Sequence, residues 1–206
     1  MAAWRTLLVS LIVLAAGVGV LANATDGWHA FTTETARRID VRDHPRPVPN
    51  LPLQIADGTR SSFGQLRGRW LLVDFIYTRC LTFCSVQGGE FAQLQRQLTT
   101  LIGANKLALL SVSFDPAHDD PPALAAYQRR HRDSGSGWIA ARPVDHADLV
   151  ELMRVFGVVA VPDGLGGFVH NAAIAVVDPD GRLVAILDWD DPQRAARFVT
   201  QRLPSP

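Results

Sequence analysis

The chain has 206 residues, of which 48% are hydrophobic and 19% charged, with 20 cationic side chains set against 20 anionic ones. That length suits one compact domain with a real core and is short for two. A net charge of zero leaves no basic field for a phosphate backbone, which argues against nucleic acid as a partner. The pairs Arg37-Arg38 and Arg129-Arg130 are read as solvated helix faces.

The N-terminus carries one cation, Arg5, followed by an apolar run from Leu7 to Ala22 broken only by Ser10. Ala22-Asn23-Ala24 supplies the small-x-small pattern of a signal-peptidase site, ahead of a polar start at Asp26. The run is near the lower limit for spanning a bilayer, about 17 residues. Residues 1–24 are therefore read as a membrane anchor or a signal peptide, both options staying open. Either places the rest of the chain outside the cytoplasm, on the periplasmic side of an inner membrane, because the cation lies on the retained side.

Residues 25–50 show no clear periodicity and end in His44-Pro45-Arg46-Pro47-Val48-Pro49, so they read as an extended, Pro-rich spacer ahead of a domain over 51–206. Leu51 to Ile55 alternates like a short strand, Asp57-Gly58 signals a hairpin turn, and Ser61 or Ser62 can cap one helical turn over Phe63–Leu66. The run from Trp70 to Tyr77 is nearly all apolar, aromatic and β-branched, the mark of a strand buried on both faces. Phe91, Leu94, Leu98 and Leu101 give a helical stripe within Val86–Leu101. Then come a second buried strand over Leu107–Phe114, a helix opened by Pro121-Pro122 and running to about His131, and a short strand over Trp138–Ala140. Asp145 can cap a helix to Phe156; Ala173–Val177 is a third central strand, turned by Asp178-Pro179-Asp180-Gly181 into Leu183–Leu187, and a last helix covers about Pro192–Arg202. Strands alternating with helices and closing on an antiparallel hairpin make an α/β fold, a thioredoxin-like three-layer sandwich with a central mixed sheet flanked by helices.

Two cysteines in an exported chain would ordinarily be one structural disulfide. Cys80 and Cys84 are only four residues apart, and so small a loop gains least from closure. A functional pair is the better reading. It sits where a buried parallel strand gives way to a helix, at the carboxyl edge of the sheet where open α/β folds place their sites. A helix N-terminus stabilises a thiolate, and spacing i, i+4 places both sulfurs on one helical face, able to converge on one ion.

Two sulfurs seldom complete a metal site, and the histidines are the candidates for a third ligand. His29 and His44 fall in the spacer, and His131 and His146 near helix ends. His170 directly precedes the last central strand, after the flexible stretch Asp163-Gly164-Leu165-Gly166-Gly167, which could let its ring swing onto the ion. His118, in the loop after a neighbouring strand, is a distant second. Two thiolates and an imidazole suit a soft, low-coordinate ion. The lack of an obvious fourth ligand tilts the choice from zinc to copper, Cu(I) or Cu(II).

Three segments in order, Asp74-Phe-Ile-Tyr-Thr-Arg-Cys-Leu-Thr-Phe-Cys84, Ser111-Val-Ser-Phe-Asp-Pro116 with Asp120-Pro, and Val169-His-Asn leading into Val176-Val-Asp-Pro-Asp-Gly181, resemble the Sco (SenC) family of copper-handling accessory proteins of cytochrome c oxidase assembly. The likeness runs from about Val48 to Phe198. It implies copper ligands at Cys80, Cys84 and His170, a thioredoxin-like domain on an N-terminal anchor, and a copper-bearing oxidase subunit as recipient. Other periplasmic copper chaperones or thiol reductases are further partners it allows. Leu81 and Ser85 stand where family members usually or often have proline, and His118 where the family often has Arg.

The functions that follow are a copper metallochaperone and, as the alternative, a thiol–disulfide oxidoreductase that reduces the cysteines of a copper-receiving partner through Cys80 and Cys84. A peroxidase of the peroxiredoxin kind ranks last, because neither cysteine follows its proline-threonine-x-x signature.

Overall fold

The computed structural model describes residues 2–25, 27–28, 30–80, 83–131 and 137–203, without the side chains of residues 2 and 83–85. Asp26, His29, Leu81 and the side chains of Cys84 and Ser85, all singled out in the sequence, lie outside the described residues. The first element, α1 (Ala2–Ala24), contains one continuous span from Ala3 to Ala24, with a mean hydropathy of 2.4 and none of it buried against the protein. It is long and apolar enough to cross a membrane.

The expected spacer is corrected by the structure, which has a helix, α2 (Thr33–Asp43), packed against the sheet. Thr32 caps it by accepting a hydrogen bond from the Thr35 amide (3.1 Å), Glu34 occupies its first turn, and Val41 is fully buried. The segment lacks an apolar stripe because much of its docking is ionic and polar, through Arg37 and Arg38 rather than through leucines. The proline stretch is extended as expected, yet it is not free of the domain. Its two-residue strand β1 (Arg46–Pro47) pairs with the sheet edge, where a missing N–H is tolerated, and Val48 is buried.

The following strands are β2 (Pro52–Ile55) and β3 (Arg60–Ser62), joined by the Asp57-Gly58 turn and followed by a 3-10 turn over Phe63–Leu66. Next come β4 (Trp70–Ile76), α3 (Phe83–Gln97), α4 (Thr99–Gly103), β5 (Leu107–Ser113), α5 (Pro121–His131) and β6 (Trp138–Pro143). The expected single helix over Val86–Leu101 is broken at Leu98. The Thr99 hydroxyl bonds back to the carbonyls of Gln95 (3.0 Å) and Arg96 (2.8 Å), an arrangement that competes with helix continuation. The chain closes through α6 (His146–Phe156), a separate hairpin of β7 (Ala160–Pro162) and β8 (Phe168–His170), then β9 (Ile174–Val177), β10 (Arg182–Leu187) and α7 (Pro192–Thr200).

The main sheet has eight strands in the order β1-β10-β9-β4-β5-β6-β2-β3, with β4, β5 and β6 parallel and the rest antiparallel to their neighbours. Every residue of β4 and β5 is buried, as a strand covered on both sides requires. Alternation along β4 divides the core. Leu71, Val73 and Phe75 join Phe63, Leu152 and Phe156 on the α2/α6 side, while Leu72 and Ile76 join Phe91, Leu94, Leu124 and Val199 on the α3/α5/α7 side. This is the expected three-layer thioredoxin-like sandwich, and its parallel centre brings the β4–α3 junction and the β5–α5 loop to one edge.

Candidate metal centre

Cys80 does not lie on the helix with Cys84. The strand β4 ends at Ile76, a turn follows in which the Cys80 amide donates to the Tyr77 carbonyl (3.3 Å), and the described part of α3 runs from Phe83. Cys80 is thus a buried turn residue (8% exposed), while Cys84 lies within α3. The expectation that both cysteines stand on one helical face is corrected on the side of Cys80, whose backbone closes a turn on Tyr77 instead of a helical one.

The Cys80 turn is pinned from the β5–α5 loop. Asp119, fully buried, accepts hydrogen bonds from the Thr78 amide (3.0 Å), the Thr78 hydroxyl (2.6 Å) and the Ser113 hydroxyl (2.6 Å). Burial pushes its carboxyl above the ordinary value, against the pull of those donors. Next to it Arg79 reaches Asp115 (2.8 Å), which also holds His118 Nδ1 (2.8 Å). Two residues before Cys80 and one before it are therefore held by carboxylates.

His170 enters the same region from the hairpin. Its ring lies 5.1 Å from that of Phe114 and 6.4 Å from that of Tyr77, centroid to centroid, and Phe168 stacks edge-on against both of those aromatics. Tyr77, Phe114 and Cys80 belong to one core cluster, on the α2/α6 side of the sheet, with Phe168 packed against it. The Tyr77 hydroxyl bonds the Phe168 amide (3.3 Å) and carbonyl (3.5 Å), which docks the hairpin three residues before Cys80. Burial depresses the His170 pKa below the usual histidine value, so a neutral ring, the form that ligates metals, prevails at neutral pH.

The glycine stretch behaves differently from expectation. Asp163 accepts from the amides of Leu165 (2.8 Å) and Gly167 (2.9 Å), and its own amide donates to the Gly167 carbonyl (3.0 Å). The stretch is the closed tip of a hairpin, not a slack loop, and movement of His170 would carry the hairpin with it. The other histidines are placed elsewhere: His118 is hydrogen-bonded to Asp115, His44 is exposed beside Asp40, His131 packs on Tyr127 (4.8 Å), and His146 is exposed at the start of α6. Among the described residues, which exclude the Cys84 side chain, no three His, Cys, Asp or Glu side chains converge on one point. The chemistry of the donors nevertheless fits a soft ion: a buried thiol, a second cysteine at a helix start and a neutral imidazole.

Sequence reasoning missed the roles of four residues that shape this region, and its reading of Arg37 as part of a solvated helix face is corrected, since that side chain is docked on the Phe156 and Gly157 carbonyls. Asp119 was hidden beside Asp120 in a short acidic doublet, and Arg37 and Asn171 act through backbone carbonyls that no residue pattern announces. Asp74, inside the β4 run, is the fourth. It is fully buried, neither oxygen completes a hydrogen bond among the described residues, and burial lifts its pKa from 3.8 to about 7 while the nearby Ser111 hydroxyl pulls the other way. A charge within an otherwise apolar strand was the available signal.

Comparison with known proteins gives one consistent answer. The family described as SCO1/SenC matches residues 49–203. The SCO1 protein homolog of Bacillus subtilis (strain 168) is 27% identical over 139 residues, covering 66% of this chain and 71% of its own. The structure of ScoI from Bradyrhizobium japonicum with copper bound is 25% identical and superposes with a TM-score of 0.65 over 77% of this chain and 99% of its own. BsSco, described as a member of the Sco family of cytochrome c oxidase assembly proteins, shares the fold at a TM-score of 0.65, 23% identity and coverage of 76% of this chain and 93% of its own.

Proposed function

The chain belongs to the SCO1/SenC family, and on that footing we propose that it carries a single copper ion, held by Cys80, Cys84 and His170, to the copper-bearing subunit of a respiratory cytochrome oxidase. The observation that supports this reading most is the docking of the His170 ring against Tyr77 and Phe114, on the sheet face that holds Cys80. Two thiolates and a neutral imidazole select a soft ion of low coordination number and leave room for a recipient's ligand to enter. The copper-bound Bradyrhizobium japonicum relative supports copper as the cargo. In this reading α1 is the anchor or export signal, residues 51–206 together with α2 and β1 form the copper-binding domain, and the site works on the periplasmic side of the membrane.

Titration of the reduced, full-length chain in detergent with Cu(I), against a competing chelator, tests it. One equivalent should bind, and His170→Ala should lose roughly 10-fold or more in affinity, the scale seen when a metal site loses a supporting contact. Wild-type affinity in that variant would remove His170 from the site and the reading with it.

A second reading, reduction of a partner's disulfide, is supported by the position of Cys84 in the first turn of α3. A thiolate attacks the partner's disulfide to give a mixed disulfide, the second thiolate displaces the partner's thiol, and this chain's own dithiol ends oxidised as the partner's disulfide is reduced. Cys80→Ser or Cys84→Ser should trap the mixed disulfide with a dithiol-containing peptide supplied oxidised. Failure of both to trap it would rule the reductase out.

A further inference from the structure

The helix that the sequence hides, α2, is wired to the base of the hairpin that carries His170. Arg37 Nη1 donates to the carbonyls of Phe156 (2.9 Å) and Gly157 (2.6 Å), and its Nη2 is held by Glu34 (2.7 Å). The Gly157 carbonyl also accepts from Asn171 Nδ2 (3.0 Å), whose amide group lies 3.5 Å from Glu34 as well. Asn171 Oδ1 in turn accepts from the Val159 amide (2.7 Å), and the Asn171 amide donates to the Val159 carbonyl (3.2 Å). One short network thus ties the chain where it enters the hairpin, at Gly157 and Val159, to the chain where it leaves, at Asn171, and fastens both to α2.

From this arrangement we infer that Arg37 and Asn171 are positioning residues for the His170 ligand, so that α2 is part of the copper site's support and not a tether alone. His170 is the residue before Asn171 and pairs with Ala160, the residue after Val159. The hairpin is outside the eight-stranded sheet, so no sheet ladder fixes its angle. What fixes it is the Tyr77 hydroxyl and aromatic nest on the inner side and this network at the base. The Arg37 side chain is only 11% exposed, and hydrogen bonds from a guanidinium in such a setting are stronger than neutral ones. Releasing them frees the stalk of the hairpin, and a small rotation there displaces the imidazole while leaving both cysteines where they are.

The inference rests on His170 being a copper ligand, and the test separates the two. The full-length chain in detergent is given one equivalent of Cu(II) and read by pulsed EPR for imidazole-nitrogen coupling and by absorption for thiolate-to-copper charge transfer. Arg37→Ala and Asn171→Ala should each keep the thiolate band, lose most of the imidazole coupling, and bind copper about 10–100-fold more weakly, as loss of a ligand's supporting partner does. Arg37→Lys should recover part of the coupling. Because both residues act through the Gly157 carbonyl, the double variant should bind no more than a few-fold worse than the worse single variant. A merely structural role would lower the unfolding temperature without touching the coupling of the folded fraction. Full imidazole coupling and wild-type affinity in both Arg37→Ala and Asn171→Ala, with both lost in His170→Ala, would overturn the inference alone. Retention of both in His170→Ala would overturn the reading beneath it.

Discussion

Replacing Asp74 by Asn should remove most of the dependence of stability on pH between about 4 and 7. The carboxyl is fully buried on the α3/α5 side of β4, between Leu72 and Ile76, and its pKa stands at about 7 against an ordinary 3.8. The folded state therefore keeps its proton over a range in which the unfolded chain has lost it, so stability falls as pH rises from about 4 towards 7 and levels off above that. At about 1.4 kcal/mol per pH unit, carrying a carboxyl from 3.8 to about 7 corresponds to roughly 4 kcal/mol. Asn has the same shape and no charge, but its amide also lacks partners there, which costs about 1–3 kcal/mol. The net expectation is a variant about 1–3 kcal/mol less stable than the parent at pH 4 and about 1–3 kcal/mol more stable at pH 8, the two differences being roughly 4 kcal/mol apart. Urea unfolding followed by tryptophan fluorescence, run at intervals from pH 4 to 8, measures the difference directly, and subtracting the two curves cancels every other titrating group. Parallel curves for the two proteins would show that Asp74 is not held protonated by the fold and would refute the burial argument.

Two further substitutions probe the edges of the site. Gly157→Ala should destabilise by about 1–2 kcal/mol for the left-handed backbone alone, since Gly157 closes α6 at a φ of +64° and an added Cβ would lie 2.5 Å from Arg37 Cδ; thermal unfolding checks it, and an unchanged midpoint would deny the strain. Asp119→Ala strips three donors of their acceptor at once and should cost roughly 3 kcal/mol or more, at about 1–3 kcal/mol for each buried group left unmade. It should also speed alkylation of Cys80 by iodoacetamide in the folded state, and an unaltered alkylation rate would show that the turn does not depend on Asp119.

The elements legible in the sequence were those whose burial repeats along the chain. Trp70–Tyr77 and Leu107–Phe114 announced themselves because a strand covered on both faces has no room for a polar register, and the structure buries every residue of β4 and β5. Pro121 and the Asp178–Gly181 turn were legible for local reasons, a fixed φ at a helix start and a glycine at φ +81° closing a hairpin. Helix α2 was illegible because it meets the sheet through arginines, and a hydrophobicity pattern cannot see a guanidinium bonded to a carbonyl more than a hundred residues away. The same blindness applies at the site. The sequence offered Cys80, Cys84 and His170, and resemblance gave them a purpose, but the turn that takes Cys80 off the helix follows from how β4 ends, not from the spacing of the cysteines.

The two sides of the proposed copper site are held very differently. Thr78 and Arg79 are anchored to buried carboxylates on the loop that follows the central strand β5, which pins the Cys80 turn to the main sheet. His170 stands on a two-stranded hairpin outside that sheet, docked by one tyrosine hydroxyl, a nest of rings and the network through Asn171. Local stability follows buried contacts and ladder bonds, and by that measure the imidazole is the donor with the lower barrier to departure. For a carrier this asymmetry has a direct consequence. If the proposed ligand set holds, a recipient's ligand would replace the histidine first while the cysteines kept the ion, and transfer would then run by ligand-by-ligand exchange.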